Sequence, residues 1–218
     1  MNYDSIISKY NVFIFDVDGT LYHQFPVRLI MMFWMIFDTV LHPSRIKLLL
    51  SLLYFRKRRR HDQYKTIGFD RQVSTVAKKK DLDPQILRQY LTEWLFEKPL
   101  SIIPKFRNKH IIDFINSCKN NNKVIVIYSD YPAESKIDSL KLTCDYIFYP
   151  GHGVADELKP SKKVMSEIMD TLGVISKEIL YIGDDKVCDG GSAKLAGIVY
   201  LDVNDFDEKK KDSEKDGK

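Results

Sequence analysis

The 218 residues suffice for one sizeable α/β domain, or for such a core carrying a smaller inserted unit. A hydrophobic fraction of 44% against 29% charged residues provides for a buried core and excludes a chain disordered throughout. The net charge of +4 is too mild to mark a nucleic-acid partner by itself, and the basic residues are clumped at residues 56–60, 78–80 and 209–211.

Three cysteines, Cys118, Cys144 and Cys188, make an odd set without a CxxC pair. That argues against a disulfide framework or a thiolate zinc site, and for a reducing cytoplasm. The opening MNYDSIISKY has neither the basic nor the apolar region of a secretory signal.

In chain order, the first apolar run, residues 12–15, ends at Asp16 and reads as a buried parallel strand. Residues 29–37 and 46–55 follow as two helical segments that are apolar on all sides, separated by Pro43. A third helix at 84–96 opens with the start signal Asp83 and Pro84. These form an all-helical insertion, a cap over residues 23–102. Further strands are expected at 124–128, before Ser129, and at 179–182, before Gly183 and Asp184, with short ones at 146–149 and 198–201. Helices at 105–119, 133–142, 161–172 and 192–195 alternate with them. Such alternation predicts an α/β fold, a doubly wound parallel sheet with helices on both faces, built from residues 1–22 and 103–204. The polar tail, 205–218, has almost no apolar residue and is expected to be disordered.

Ligand sites in open parallel sheets lie beyond the carboxyl ends of the strands, where this sequence places Asp16, Asp18, Ser129, Asp184 and Asp185. Gly19 and Thr20 let the chain turn sharply after the first strand. Asp16 and Asp18, two apart, can project to the same side, so a nucleophile and a proton donor can sit together. Five carboxylates, counting Asp189, repel one another and a phosphate, and Lys159 is the one obvious cation from the loops. A hard divalent cation bound through oxygen resolves that conflict, and Mg²⁺ is the natural candidate. Taken singly, an Asp after a strand is a turn or cap residue, Ser129 a cap and Lys159 a solvated charge. Together, in this order, they form a pattern.

The pattern resembles the haloacid dehalogenase superfamily. Residues 16–22, DVDGTLY, are similar to its first motif, Ser129 after VIVIY to its second, and Lys159 in LKPS to its third. Gly183, Asp184 and Asp189 in GDDKVCD are similar to its fourth, and an AxxAG-like stretch follows at 193–197. The resemblance covers residues 10–22 and about 103–203. It implies a phosphatase in which Asp16 is the nucleophile and forms an aspartyl-phosphate. Asp18 is then the general acid and base, and Ser129 and Lys159 bind the phosphoryl group. It further implies Mg²⁺ held by Asp16, the backbone carbonyl of Asp18 and Asp184, with Asp189 as a ligand or its support. The acid at position 18 argues against the ion-pump ATPases and dehalogenases of the superfamily. A phosphomutase shares all four motifs and is the alternative, as is a membrane- or partner-binding protein on a phosphatase-like core. Asp130 departs from the usual pattern, since many members carry Asn after the second-motif residue.

Of the remaining features, His23 reads as a linker residue and Cys188 as a packed thiol. The run RKRRR at 56–60 has no aromatic stacking pattern beside it, so no nucleic acid is expected. The two apolar helices must be buried all round or meet something apolar. Spanning a bilayer takes ~20 apolar residues, whereas Arg28 and Asp38 bracket the first run. Three destinations follow: packing within the cap, an oligomer interface, or a greasy surface with residues 56–60 beside anionic headgroups. The expected substrate is a small-molecule or lipid-linked phosphate ester, met in the cytoplasm or at the membrane's periphery.

Overall fold

The computed structural model describes residues 3–58 and 68–205; most of the expected tail, and Arg59 and Arg60 of the basic run, lie outside the described residues. Six parallel strands form one sheet in the order β4-β3-β2-β1-β5-β6. They are β1 (Val12–Phe15), β2 (Val124–Tyr128), β3 (Tyr146–Pro150), β4 (Gly153–Val154), β5 (Ile179–Gly183) and β6 (Val199–Asp202). The chain runs outward from β1 through β2, β3 and β4, then returns to the other side of β1 as β5 and β6. The order therefore reverses beside β1, where open α/β sheets hold their ligands.

In register, Val12 lies opposite both Val124 and Ile179. Alternate side chains enter two cores. Phe13, Phe15, Ile125, Ile127, Leu180 and Ile182 pack with Phe114 of α6 (Lys109–Asn120). Val12, Ile14, Val126 and Tyr181 pack with Val164 and Ile168 of α8 (Lys162–Leu172). Both faces are covered, which is why these strands are apolar throughout instead of alternating.

The expected strands all form, and the helices differ at their ends. α6 begins at Lys109, not 105, because Asn108 caps it by accepting the Ile111 N–H at 3.4 Å, while residues Ile103–Phe106 form a separate 3₁₀ turn. α7 is shortened to Glu134–Ser139. α9 (Asp189–Ala196) starts three residues earlier than expected, since Gly190 and Gly191 disguise a first turn that includes Asp189. Two helices lacked a sequence signal: α1 (Tyr3–Lys9), and α4 (Phe69–Lys80), whose buried Gln72, Val73, Val76 and Ala77 sit among polar residues.

Between β1 and α6 the insertion holds α2 (Gln24–Leu41), α3 (Ile46–Arg58), α4 and α5 (Pro84–Thr92), with no strand among its described residues. Its two ends run side by side. The His23 N–H donates to the Phe106 carbonyl and the Asn108 N–H to the Leu21 carbonyl, each at 2.8 Å, and Tyr22 bridges Arg107. A ring cluster ties the insertion to the core: Phe69 lies 5.8 Å from Phe55, 5.2 Å from Phe96 and 6.1 Å from Tyr131, which follows β2.

α2 extends well past the apolar run in both directions. At 18 residues and a mean hydropathy of 1.4 it is long and apolar enough, by length and composition, to cross a membrane. Only Val27, Met31 and Met35, four apart, are buried. The helix is thus neither buried all round nor amphipathic in the usual sense, because its solvent side is apolar as well.

Candidate active site

β1 delivers Asp16 to the carboxyl edge of the sheet, where its N–H continues the ladder by donating to the Ile182 carbonyl at 3.0 Å. One small polar cavity of about 130 Å³ is lined by Asp16, Asp18, Ser129, Lys159, Asp184 and Asp189, together with Asp130, Asp185 and Arg28. Four separate loops thus bring every sequence-derived site residue to one place. Gly19 is needed there on two grounds: its φ of +102° suits glycine, and a Cβ would stand 2.1 Å from Asp184 Oδ2.

Lys159 Nζ donates to Asp16 Oδ1 at 2.6 Å and to Asp189 Oδ1 at 2.9 Å, with the Tyr128 ring 4.7 Å away. Burial alone lowers an ammonium pKa. Here the Asp16 and Asp189 charges outweigh it and hold Lys159 well above the usual range. One cation does not neutralise the cluster. Burial pushes the Asp16 carboxyl up to about 7 against the pull of Lys159, with the Asp189 and Asp184 charges adding to the rise. Asp184 is pushed up to about 6 by burial and by Asp189 and Asp185.

Oxygens of Asp16, Asp184 and Asp189 lie within 4.8 Å of one another. Three hard anionic donors at that spacing, two of them reluctant to ionise alone, fit a divalent cation such as Mg²⁺. Asp189 has other partners too: Oδ1 accepts from the Tyr181 hydroxyl at 2.9 Å, and Oδ2 from the Asp185 N–H at 3.1 Å. It braces Lys159 besides belonging to the set that could hold a cation. A Cβ on Gly183 would meet Asp189 Oδ2 at 2.4 Å, so glycine is what lets this carboxylate fold back against β5.

Asp18 turns from this cluster toward a second, larger cavity of about 740 Å³, which it lines with Gln24 and Arg28 of α2, Phe55, Arg56 and Lys57 of α3, Tyr131 and Lys159. Its Oδ1 accepts from Lys136 Nζ at 2.5 Å and from the Tyr22 hydroxyl. Lys136 is almost fully buried. It is therefore a second cation of the site, and Lys159 does not stand alone as the sequence suggested. Neither Lys136, Tyr22 nor Tyr181 carried a sequence signal for these contacts, since a Lys in ESKIDS reads as a solvated helix charge.

The remaining residues take supporting places. Ser129 Oγ accepts from the Tyr131 N–H at 3.2 Å and shapes the turn that leaves β2. Asp130 accepts the Lys159 N–H at 2.8 Å. Its carboxylate is thus tied to the third-motif loop, a bond that Asn could also accept. Asp185 caps its turn, accepting the N–H groups of Val187 and Cys188 at 2.9 and 3.0 Å. Half-buried Cys188 lines both cavities, and His23 is exposed ahead of α2.

A doubly wound parallel sheet with carboxylates and a buried lysine at its carboxyl edge defines an α/β enzyme of the carboxylate-centred kind. The chain belongs to the haloacid dehalogenase-like hydrolases, whose family model matches residues 10–197. No curated protein matches it in a sequence search. Solved structures share the fold at low identity. A HAD phosphatase of Thermococcus onnurineus superposes with a TM-score of 0.61 at 19% identity, over 87% of this chain and 84% of that one. The HAD hydrolase YfnB of Bacillus subtilis, bound to magnesium, gives 0.58 at 14%, over 88% and 87%. A 2-haloacid dehalogenase of Pseudomonas syringae pv. Tomato gives 0.58 at 16%, over 88% and 85%.

Proposed function

We propose that the protein is a Mg²⁺-dependent phosphatase that hydrolyses a phosphate monoester through an aspartyl-phosphate on Asp16. The observation that carries this reading is the division of labour between two carboxylates two residues apart. Asp16 is locked to Lys159 inside the acidic cluster, while Asp18 faces the larger cavity, where a leaving group has room. A dehalogenase has no leaving oxygen to protonate, so the acid at 18 favours the phosphatase.

Asp16 would attack phosphorus as the bond to the ester oxygen breaks, and Asp18 would give that oxygen its proton. Asp18 would then accept a proton from the water that attacks the same phosphorus, freeing inorganic phosphate and the Asp16 carboxylate. Lys159 holds Asp16 by an ion pair and would offset charge on the phosphoryl oxygens, and Ser129, at the cavity wall, would donate to one of them. Mg²⁺, held by Asp16, Asp184 and the Asp18 carbonyl with Asp189 alongside, would supply Lewis-acid stabilisation of the same oxygens.

The test is release of inorganic phosphate from p-nitrophenyl phosphate. Activity should vanish in EDTA and return with Mg²⁺, vanish in Asp16→Asn, and fall ~10²- to 10⁴-fold in Asp18→Asn. Near wild-type turnover by either variant, or an enzyme indifferent to EDTA, overturns the scheme.

A further inference from the structure

The largest feature that this chemistry leaves unused is the outer face of α2. Opposite its buried stripe, Phe25, Leu29, Phe33, Phe37 and Val40 stand open to solvent, Phe33 at 59%, Phe37 at 65% and Val40 at 70% exposure. α3 repeats the arrangement, with Ile46, Leu50 and Leu53 exposed at the spacing of one helical face. An apolar concavity of about 780 Å³ runs along α2, with Trp94 in its wall and Lys98 beside it. A water-facing helix side is ordinarily polar, and an apolar patch of this extent marks a surface that meets something.

The charges around it select what that is. From Gln24 to Arg58 the chain has six Lys and Arg against one acid, Asp38, and Asp38 is ion-paired with Arg45 at 2.9 Å. Arg45 and Lys47 stand at the turn of the α2-α3 hairpin, and Arg28, Arg56, Lys57 and Arg58 at its other end. A symmetric contact with a second copy would set this basic hairpin against itself. An anionic lipid surface complements both its greasy face and its basic ends. A spanning role for α2 does not fit, since Val27, Met31 and Met35 are held in the protein's own core and Arg28 lines the catalytic cavity.

We propose that α2 and α3 dock on an anionic bilayer, and that the adjoining cavity takes a phosphomonoester whose apolar body stays in that bilayer. The link between the two is structural: the helices that carry the greasy face also supply Gln24, Arg28, Phe55, Arg56 and Lys57 to the 740 Å³ cavity beside Asp18. Basic side chains there can draw in a phosphate, and Phe55, Leu95, Phe96 and Leu158 can receive the first carbons behind it. The substrate half of this inference rests on the phosphatase reading above, and the docking half does not.

The experiment is co-sedimentation with vesicles of phosphatidylcholine and phosphatidylglycerol, beside vesicles of phosphatidylcholine alone, followed by turnover of farnesyl phosphate carried in the mixed vesicles. The protein should sediment with the mixed vesicles, less so as salt rises, and hydrolyse the farnesyl ester. The double variant Phe33→Glu, Phe37→Glu should lose vesicle affinity by about a hundredfold and lose farnesyl phosphate turnover with it. It should keep its turnover of p-nitrophenyl phosphate, because neither residue touches the catalytic cavities. Wild-type protein that ignores the mixed vesicles, or a variant that binds them equally well, overturns the docking surface. So does a stable dimer that the double variant dissociates. Vesicle binding with no hydrolysis of either ester keeps the docking surface and sinks the phosphatase reading, so the two failures are distinguishable.

Discussion

Asp18 illustrates how much of the site depends on residues whose type alone says nothing. Lys136 and Tyr22 both donate to its Oδ1, and the Tyr22 hydroxyl is kept protonated because burial and the Asp18 charge raise its pKa well above the ordinary value. The Lys136 ammonium sits against the Asp18 carboxylate, and a neighbouring positive charge favours the charged form of an acid, so Lys136→Met should displace the kcat/KM pH profile toward higher pH. Lys136→Arg should restore it, whereas superimposable profiles would leave Lys136 without a part in the proton transfer. The acids of the rim were legible because the chemistry demands their spacing within short motifs. Lys136 was not, since its contact with Asp18, 118 residues away, exists only in the folded chain. Asp130, where the motif departs from its usual residue, binds a backbone N–H 29 residues away.

Among the elements, the strands were readable because both faces of the sheet are covered, leaving unbroken apolar runs. α2 was readable as a helix but not in its surroundings. Residues of equal hydrophobicity occupy its core and its water-facing sides, and the packing of α3 and of the 3₁₀ turns at Lys98–Ser101 and Ile103–Phe106 decides which is which. The difference is measurable in urea. Met31→Ala should cost about 2–5 kcal/mol, as for other buried large-to-small changes, while Phe33→Ala should stay within about 0.5 kcal/mol. Comparable losses would mean that the outer face is covered in the free protein. α4 escaped notice because three lysines and other polar residues hide a four-residue buried stripe.

For the molecule as a whole, the acidic cluster is a store of repulsion. Asp16 and Asp184 have pKa values near 7 and 6 in the folded chain against 3.8 ordinarily. Raised carboxyl pKa values mean that the folded state binds more protons than the unfolded one between about pH 4 and 7. Their contribution to stability is complete below the ordinary value and is lost as pH rises through 6 and 7. Metal-free protein should therefore melt at a lower temperature as pH rises across that window, and added Mg²⁺ should raise the melting temperature most at its upper end. Asp16→Asn should flatten the metal-free dependence; a slope unchanged in that variant would assign it to other groups. The paired ends of the insertion carry a different kind of consequence. Because the chain departs at His23 and comes back at Phe106 through neighbouring backbone bonds, everything between is a cassette with a single doorway. Another set of helices could occupy the same doorway without rethreading the sheet, changing the walls that Gln24, Arg28 and Phe55 now supply while Asp16, Asp18, Ser129, Lys159, Asp184 and Asp189 stay in place.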